Sequence, residues 1–434
     1  MLFRQFAAQT APLRAVRGHS TTRPARRAHI GKVAGVAGLT AALCVCLVAS
    51  DTRFSGHAHA AMPLLHRLDA EQAHVFSVWL AKVGAVPREG RDPDAETALL
   101  KTQVLGLALT NPVGLAAGYD KHAEAVDALL GLGFGAVEIG SVTPVPQQGN
   151  PKPRVFRLSE DAAVINRYGF NSDGHSAVGH RLANRVRKWL HSHVASAHSD
   201  GRSLPEGVPH SLVQGKALGV NLGKNKASAA DDNSDYTKGV ERLGQYADYI
   251  VVNISSPNTP GLRSLQRREP MLKLLQEVKE ARDIHVDHRP PLFVKIAPDV
   301  TRDELEDIAA VVAQSGIDGV IISNTTLSRP EHLKSLHKGE MGGLSGPPVF
   351  PLALEKVRQF YQLTHGAIPI IGCGGISNAE EALAFAKAGA SLIQLYTALG
   401  YKGPGIVYEI KRDLVELLKK EGKTWREVVG ADHR

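Results

Sequence analysis

Cysteine is scarce in this 434-residue chain, with Cys44, Cys46 and Cys373 the only three. Three thiols cannot build a disulfide framework. The first two lie in an apolar run and the third stands alone, so neither a zinc site nor a redox pair is expected. Aromatics are few, at 5%, while hydrophobics make up 43% and charged residues 22%. That balance belongs to an ordinary globular protein and excludes wholesale disorder, a collagen-like chain and a polytopic membrane protein. Acids are missing from residues 1–50, which carry Arg4, Arg14, Arg17, Arg23, Arg26, Arg27 and Lys32. Setting those cations aside leaves 44 basic against 43 acidic side chains. The net charge of +8 therefore sits at the N-terminus, not on a nucleic-acid-binding face.

Residues 1–29 are Arg-rich, contain Ser and Thr, and read as a mitochondrial targeting segment, with a disordered basic tail as the alternative. A transmembrane helix is expected over 30–50. Its uncharged stretch, Val33 to Ser50, would span about 27 Å at 1.5 Å per residue, enough for a bilayer core. Cations before it and acids only after it put the N-terminus in the matrix and the body in the intermembrane space. The AHAA at 58–61 resembles a secretory cleavage site and keeps secretion as a rival address. Residues 62–90 form a third unit. Leu64, Leu65, Leu68, Val75, Phe76, Val78, Trp79, Leu80 and Val83 suit one or two amphipathic helices, with Asp69 as a cap, Gln72 three residues on, and Pro87 closing the unit. Such a hairpin packs on the body, or lies on a membrane and admits a lipophilic molecule.

From 91 to 434 short apolar runs alternate with helical patterns. The runs are Val113–Ala117, Ala136–Gly140, Ala217–Leu222, Tyr249–Ile254, Leu292–Ile296, Gly319–Ile322, Ile368–Ile371 and Leu392–Leu395. Helices are expected at Glu269–Arg282, Arg302–Ser315, Pro351–Thr364 and Asn378–Ala388. Near-continuous apolar strands mean a parallel sheet buried on both faces, and eight such units indicate a (β/α)8 TIM barrel. An open doubly wound sheet would show GxGxxG after its first strand, where this chain has AAGYDK.

In such a barrel the C-terminal strand ends carry the chemistry. Here they are polar but nearly free of carboxylates, Asp120 being the exception, and free of His. Paired-acid hydrolysis and divalent-metal sites lack ligands. Amides, hydroxyls, Lys121 and Lys295 remain, an inventory suited to a flat, anionic, hydrogen-bonding ligand. GCGG after the seventh run and before the Asn378–Ala388 helix reads as a phosphate cradle or merely as a tight turn. A phosphate there with Lys295 at the centre fits flavin mononucleotide (FMN), and no second nucleotide site is evident.

The segments NPVGLAAGYDKHAEAV, GFGAVEIGSVTPVPQQGNPKPRVFRL, INRYGFNS, GVNLGKNK, VVNISSPNTPGLRSLQ, VKIAPD, SNTTLSRP, GGLSGPP, IPIIGCGG and SLIQLYTAL occur in order. Together they resemble the class 2, quinone-linked dihydroorotate dehydrogenases, from about Met62 to the C-terminus. The resemblance implies oxidation of (S)-dihydroorotate to orotate in pyrimidine biosynthesis, with FMN as hydride acceptor and ubiquinone as final acceptor at the mitochondrial inner membrane. It implies no metal and no nucleic acid.

Carried over by motif, Ser256 is the general base, aided by Lys121, and Lys295 stabilises charge on the reduced flavin. FMN would be held by Ala116, Ala117, Gly118, Ser141, Asn221, Asn253, Lys295, Ser323, Gly346, Gly375, Tyr396 and Thr397. Substrate would be held by Lys121, Asn166, Arg167, Tyr168, Gly169, Phe170, Asn253, Asn258, Asn324 and Thr325. A quinone tunnel would be lined by His66, His74, Arg157 and Tyr396. Alone, NISSPN around Ser256 also reads as a loop-capping hydroxyl. The soluble class 1 enzymes carry Cys at the base position. His66 replaces a Gln common in animal relatives, and Ser323 a Thr. Other flavin barrels that reduce pyrimidines use a Cys acid near the substrate, whereas Cys373 sits in the GCGG loop. A barrel that binds flavin without turnover would not need Lys121, Ser256 and Lys295 together. Residues 191–214 read as a polar, disordered surface loop without chemistry.

Overall fold

Eight parallel strands close on themselves in strictly sequential order. They are β1 (Val113–Leu115), β2 (Ala136–Val142), β3 (Ala217–Leu222), β4 (Tyr249–Asn253), β5 (Leu292–Ile296), β6 (Gly319–Ile322), β7 (Ile370–Cys373) and β8 (Ala390–Leu395). β8 returns to β1 with Ile393 opposite Val113 and Leu395 opposite Leu115. This computed structural model describes residues 50–55, 62–194, 204–259 and 261–434. The chain divides into two compact units, Met1–Cys46 and Leu47–Arg434, and every described residue belongs to the second. The expected targeting segment, and the expected transmembrane helix apart from Ser50, lie outside the described residues. Among the described residues no helix is long and apolar enough to cross a membrane.

The strands obey the period-2 rule, and two clusters record its two faces. Outward residues such as Val137, Ile139, Val220, Ile250, Val252 and Val294 join the surrounding helices in the main core. Inward residues Ala136, Ala217, Tyr249, Val251, Phe293, Ile321, Ile371 and Leu392 fill the lower barrel. Val104 and Leu109, from an antiparallel hairpin of Thr102–Val104 and Leu107–Leu109, belong to that lower cluster. One step up, the inward positions turn polar: Glu138, Asn221, Asn253, Lys295, Ser323 and Gln394. The barrel thus has an apolar plug and a polar floor, and the strand ends form a site because the side-chain chemistry changes between layers.

Two elements escaped the sequence. Val155–Leu158, Ala163–Asn166 and Gly343–Ser345 form a three-stranded antiparallel sheet outside the barrel. The loop expected over 191–214 is also partly structured. His191 and His193 close the Gly174–His193 helix. Further on, the Asp248 carboxylate accepts the amides of His210 and Ser211, both at 2.7 Å. A buried acid supplied by β4's own approach therefore organises that segment. The 62–90 unit resolves into the helices Met62–Leu65 and Ala70–Lys82, and Asp69 accepts the amides of Glu71 and Gln72 as the cap. Just before this unit, Thr52 N donates to Arg88 O (2.9 Å) and Arg88 N to Ser50 O (3.0 Å).

Candidate active site

One continuous cavity of about 480 Å³ runs from Met62, Leu65 and His66 on the helical unit to Asn253, Lys295 and Gln394 in the barrel. Lys121, Ser256 and Lys295 all line it. So do Ala116, Ala117, Gly118, Ser141, Asn253, Ser323, Gly346, Gly375, Tyr396 and Thr397 of the expected flavin set. Asn166, Tyr168, Gly169, Phe170, Asn258, Asn324 and Thr325 share the wall, as do His66, His74 and Arg157. Two expected residues stand elsewhere. Asn221 is fully buried behind the wall. Arg167 pairs with Glu340 at 2.8 Å and lies 4.4 Å over the Phe156 ring. Just past the strand end at Asn166, its side chain turns to the side opposite that of Asn166.

The floor is one connected hydrogen-bond network. Glu138, wholly buried on β2, accepts from Asn221 Nδ2 (2.8 Å), Gln394 Nε2 (2.6 Å) and the Tyr249 hydroxyl (3.3 Å). Burial and this carboxylate push the Tyr249 phenol well above its ordinary range. A Cβ on Gly219 would come within 2.5 Å of the Tyr249 ring, so glycine there makes room for it. Asn221 Oδ1 accepts a short hydrogen bond from Ser141 Oγ. Asn253 Nδ2 donates to Ser141 Oγ (2.9 Å), and Asn253 Oδ1 accepts from Ser255 Oγ (2.9 Å). Glu138 lies inside its strand and not at the C-terminal end, where the sequence places the chemistry. A lone acid inside the apolar AVEIG was the available signal, since an acid there must be fully hydrogen-bonded.

Above this floor, Lys121 donates to Gly118 O at 2.9 Å and sits 4.3 Å over the Tyr168 ring. Burial, then the nearby Arg154 charge, push its ammonium down to about 8. Lys295 is 4% exposed on the cavity wall, with no hydrogen bond or ion pair among the described residues. A buried cation without a partner calls for an anion in the cavity. Ser256 Oγ accepts the amide of Asn258 at 3.3 Å, so the loop-capping role also exists. Nearby Thr259 Oγ1 is buried with no hydrogen-bond partner among the described residues. Asp120 is no catalyst: its carboxylate accepts the amides of His122, Glu124 and Ala125 and holds the loop after β1.

The anion cradle differs from its expected form. The helix after GCGG, Ala379–Ala388, already has its end capped: Asn378 Oδ1 accepts Glu381 N (2.8 Å) and the Glu381 carboxylate accepts Ser377 N (2.6 Å). That engages one of the helix's four free amides internally and leaves the others to a ligand. Gly374 and Gly375, with φ of 139° and 77°, lie on the wall together with Gly346 and Thr397. A Cβ at Gly375 would come 2.7 Å from Phe350 N, so the tight turn is real as well.

At the entrance, Glu71 of the Ala70–Lys82 helix is buried against Arg154, whose Nη2 lies 2.8 Å from Glu71 Oε1. Lys152 adds a contact at 3.2 Å. Arg154 in turn lies 5.1 Å from the centre of the Tyr168 ring, which Lys121 also approaches. Sequence reading missed this pair because its members are 83 residues apart. Arg157 Nη1 donates to the His66 carbonyl (2.7 Å), and His66 Nε2 lies 3.1 Å from Gly400 O. His74 Nδ1 is 3.3 Å from the Tyr396 hydroxyl. Burial, then Lys121, push the His74 imidazole down to about 3, so it is neutral at physiological pH.

A family model described as dihydroorotate dehydrogenase matches residues 99–418. The chain belongs to the dihydroorotate dehydrogenase family. Curated family members named "Dihydroorotate dehydrogenase (quinone), mitochondrial" include one from Arabidopsis thaliana, 51% identical over 86% of this chain and 81% of that protein. The Mus musculus protein of the same name is 50% identical over 86% of this chain and 89% of its own length. A ligand-free dihydroorotate dehydrogenase structure from Eimeria tenella superposes with a TM-score of 0.77 at 40% identity, covering 84% of this chain and all of that one. Its complex with ferulenol gives 0.75.

Proposed function

We propose that this protein oxidises (S)-dihydroorotate to orotate in pyrimidine biosynthesis, with FMN as hydride acceptor and ubiquinone as final acceptor. Family membership supports the reaction. The observation that carries the two-substrate reading is the single cavity joining Ser256, Lys121 and Lys295 to His66, His74 and Arg157. FMN, once bound, supplies the hydride acceptor and the passage of electrons to quinone. Its phosphate fits the Gly346, Gly375 and Thr397 wall, and Lys295 supplies the buried cation that a reduced ring requires.

The protein's own residues do the rest. Lys121 holds the substrate carboxylate, while Asn166, Asn253, Asn258, Asn324 and Thr325 meet the carbonyl and N–H edges of the ring. Ser256 Oγ takes the proton from C5. A serine hydroxyl is a weak base, so it depends on the enclosed site, the Lys121 charge and onward transfer of its proton. The Thr259 hydroxyl, three residues on and without a partner among the described residues, would take that proton through a water. At the other end, Tyr396, His74, His66 and Arg157 form the quinone wall, and Tyr396 belongs to both ends. Leu68, Val75, Phe76, Trp79 and Val83 are exposed large hydrophobics, which suits docking on a membrane. The targeting segment at 1–29 and the inner-membrane anchor at 30–50, with the body in the intermembrane space, complete this reading. It is supported by the mitochondrial names of the relatives.

The test is anaerobic mixing of purified, detergent-solubilised protein with dihydroorotate while the visible spectrum is recorded. A yellow protein should bleach, then recolour on adding a short-chain quinone. A colourless protein that cannot be reconstituted with FMN would overturn the reading; bleaching without recolouring would remove only the quinone.

A further inference from the structure

Glu138 touches no cavity surface, yet it is the one group in the floor network that can only accept hydrogen bonds when ionised. Asn221 must therefore turn its Nδ2 toward Glu138, at 2.8 Å. Its Oδ1 is left facing Ser141 and Asn253, and Asn253 Nδ2 must point back at it, at 3.3 Å. Asn253 Oδ1 then faces away, where Ser255 N donates to it at 3.2 Å and Asn324 Nδ2 at 3.4 Å. Asn324 Oδ1 ends the row by accepting Thr325 N at 2.8 Å. Two backbone amides, which cannot be reversed, agree with the direction that the carboxylate starts. Asn253 and Asn324 line the cavity, so this direction decides where the wall offers donors and where acceptors.

We propose that Glu138 is a positioning residue that sets the donor–acceptor polarity of the Asn221–Asn253–Asn324 row and thereby the affinity for orotate. The inference rests on the reading that the cavity binds orotate. It separates polarity from charge. In E138Q the new amide can keep an oxygen toward Asn221 and turn its NH2 toward Gln394. Gln394 can rotate to accept it, because its Oε1 has no partner among the described residues. In N221D two carboxylates would face each other, and only a shared proton could hold the contact. The double variant E138Q/N221D restores one donor facing one acceptor and leaves Asn253 as it is.

The experiment is titration of the flavin-loaded protein with orotate, following the change in the visible spectrum, at pH 6 and pH 8. E138Q should bind within about threefold of wild type. N221D should weaken orotate binding by at least about threefold relative to wild type at the same pH, and no less at pH 8 than at pH 6, since the contact then depends on a shared proton. The double variant should return to within about threefold of wild type at both values. N221D binding like wild type at both pH values, or a double variant as weak as N221D alone, overturns the proposal. So does a tenfold loss in E138Q, since charge rather than polarity would then be required. Wild-type protein that binds no orotate would instead sink the functional reading.

Discussion

Asn253 at the cavity floor has both ends of its amide engaged by neighbouring side chains, whereas His74 at the entrance has one backbone partner, on Tyr119, one hydroxyl, on Tyr396, and the edges of those two tyrosine rings. The difference lies in what each end must do. A planar, polar substrate is recognised by donors and acceptors that do not move, so the floor is tied down through Glu138 and the strands. The entrance, proposed for a lipophilic quinone with few polar atoms, has apolar walls from a short helical pair, with His66 and Arg157 among them. The entrance helices are joined to the body by the buried Glu71–Arg154 pair and by the bonds of Arg157 to His66 and of His66 to Gly400.

Variants should therefore sort by end. The largest effect is expected at the floor: Ser256→Ala should slow flavin reduction by dihydroorotate by at least about 10²-fold near neutral pH, in stopped-flow absorbance. Wild-type rates in that variant would contradict the base assignment. Next comes the joint between the ends. Arg154→Met leaves a buried carboxylate with only Lys152, and should cost about 3 kcal/mol in urea unfolding. An unchanged midpoint would mean that the pair couples nothing.

The third test sharpens the electrostatics of the floor. Burial holds the Lys121 ammonium down to about 8. Below that pH it is charged and, in the proposed role, pairs with the orotate carboxylate; above it the charge is lost. Orotate affinity should be flat below pH 8 and fall about tenfold per unit above it, and Lys121→Met should flatten the profile. The smallest effect belongs to the entrance surface. Trp79 is 52% exposed, and Trp79→Ser should weaken sedimentation with phospholipid vesicles by about fivefold, roughly 1 kcal/mol, while leaving flavin reduction unchanged.

The barrel was legible because its strands are local, apolar and buried on both faces. Ala217–Leu222, Leu292–Ile296 and Gly319–Ile322 match the expected runs residue for residue. Asp69 was legible for the same reason, since a cap is a matter of three neighbouring residues. Glu138 and the Glu71–Arg154 pair were not, because their roles depend on partners brought close only by closure of the barrel. The antiparallel sheet was lost for a related reason: its third strand, Gly343–Ser345, pairs with Ala163–Asn166 from far along the chain. Arg167 was carried by its motif, and its side chain lies on Glu340 and Phe156, off the cavity wall.

The backbone bridge between residues 50–52 and Arg88 has a mechanical meaning. The chain leaves this point, builds the two entrance helices, and comes back to it, so they form a loop closed at its base. A pull applied at Ser50 would pass across the bridge into the barrel scaffold and bypass the helices. The mouth of the cavity would then keep its shape under such a load.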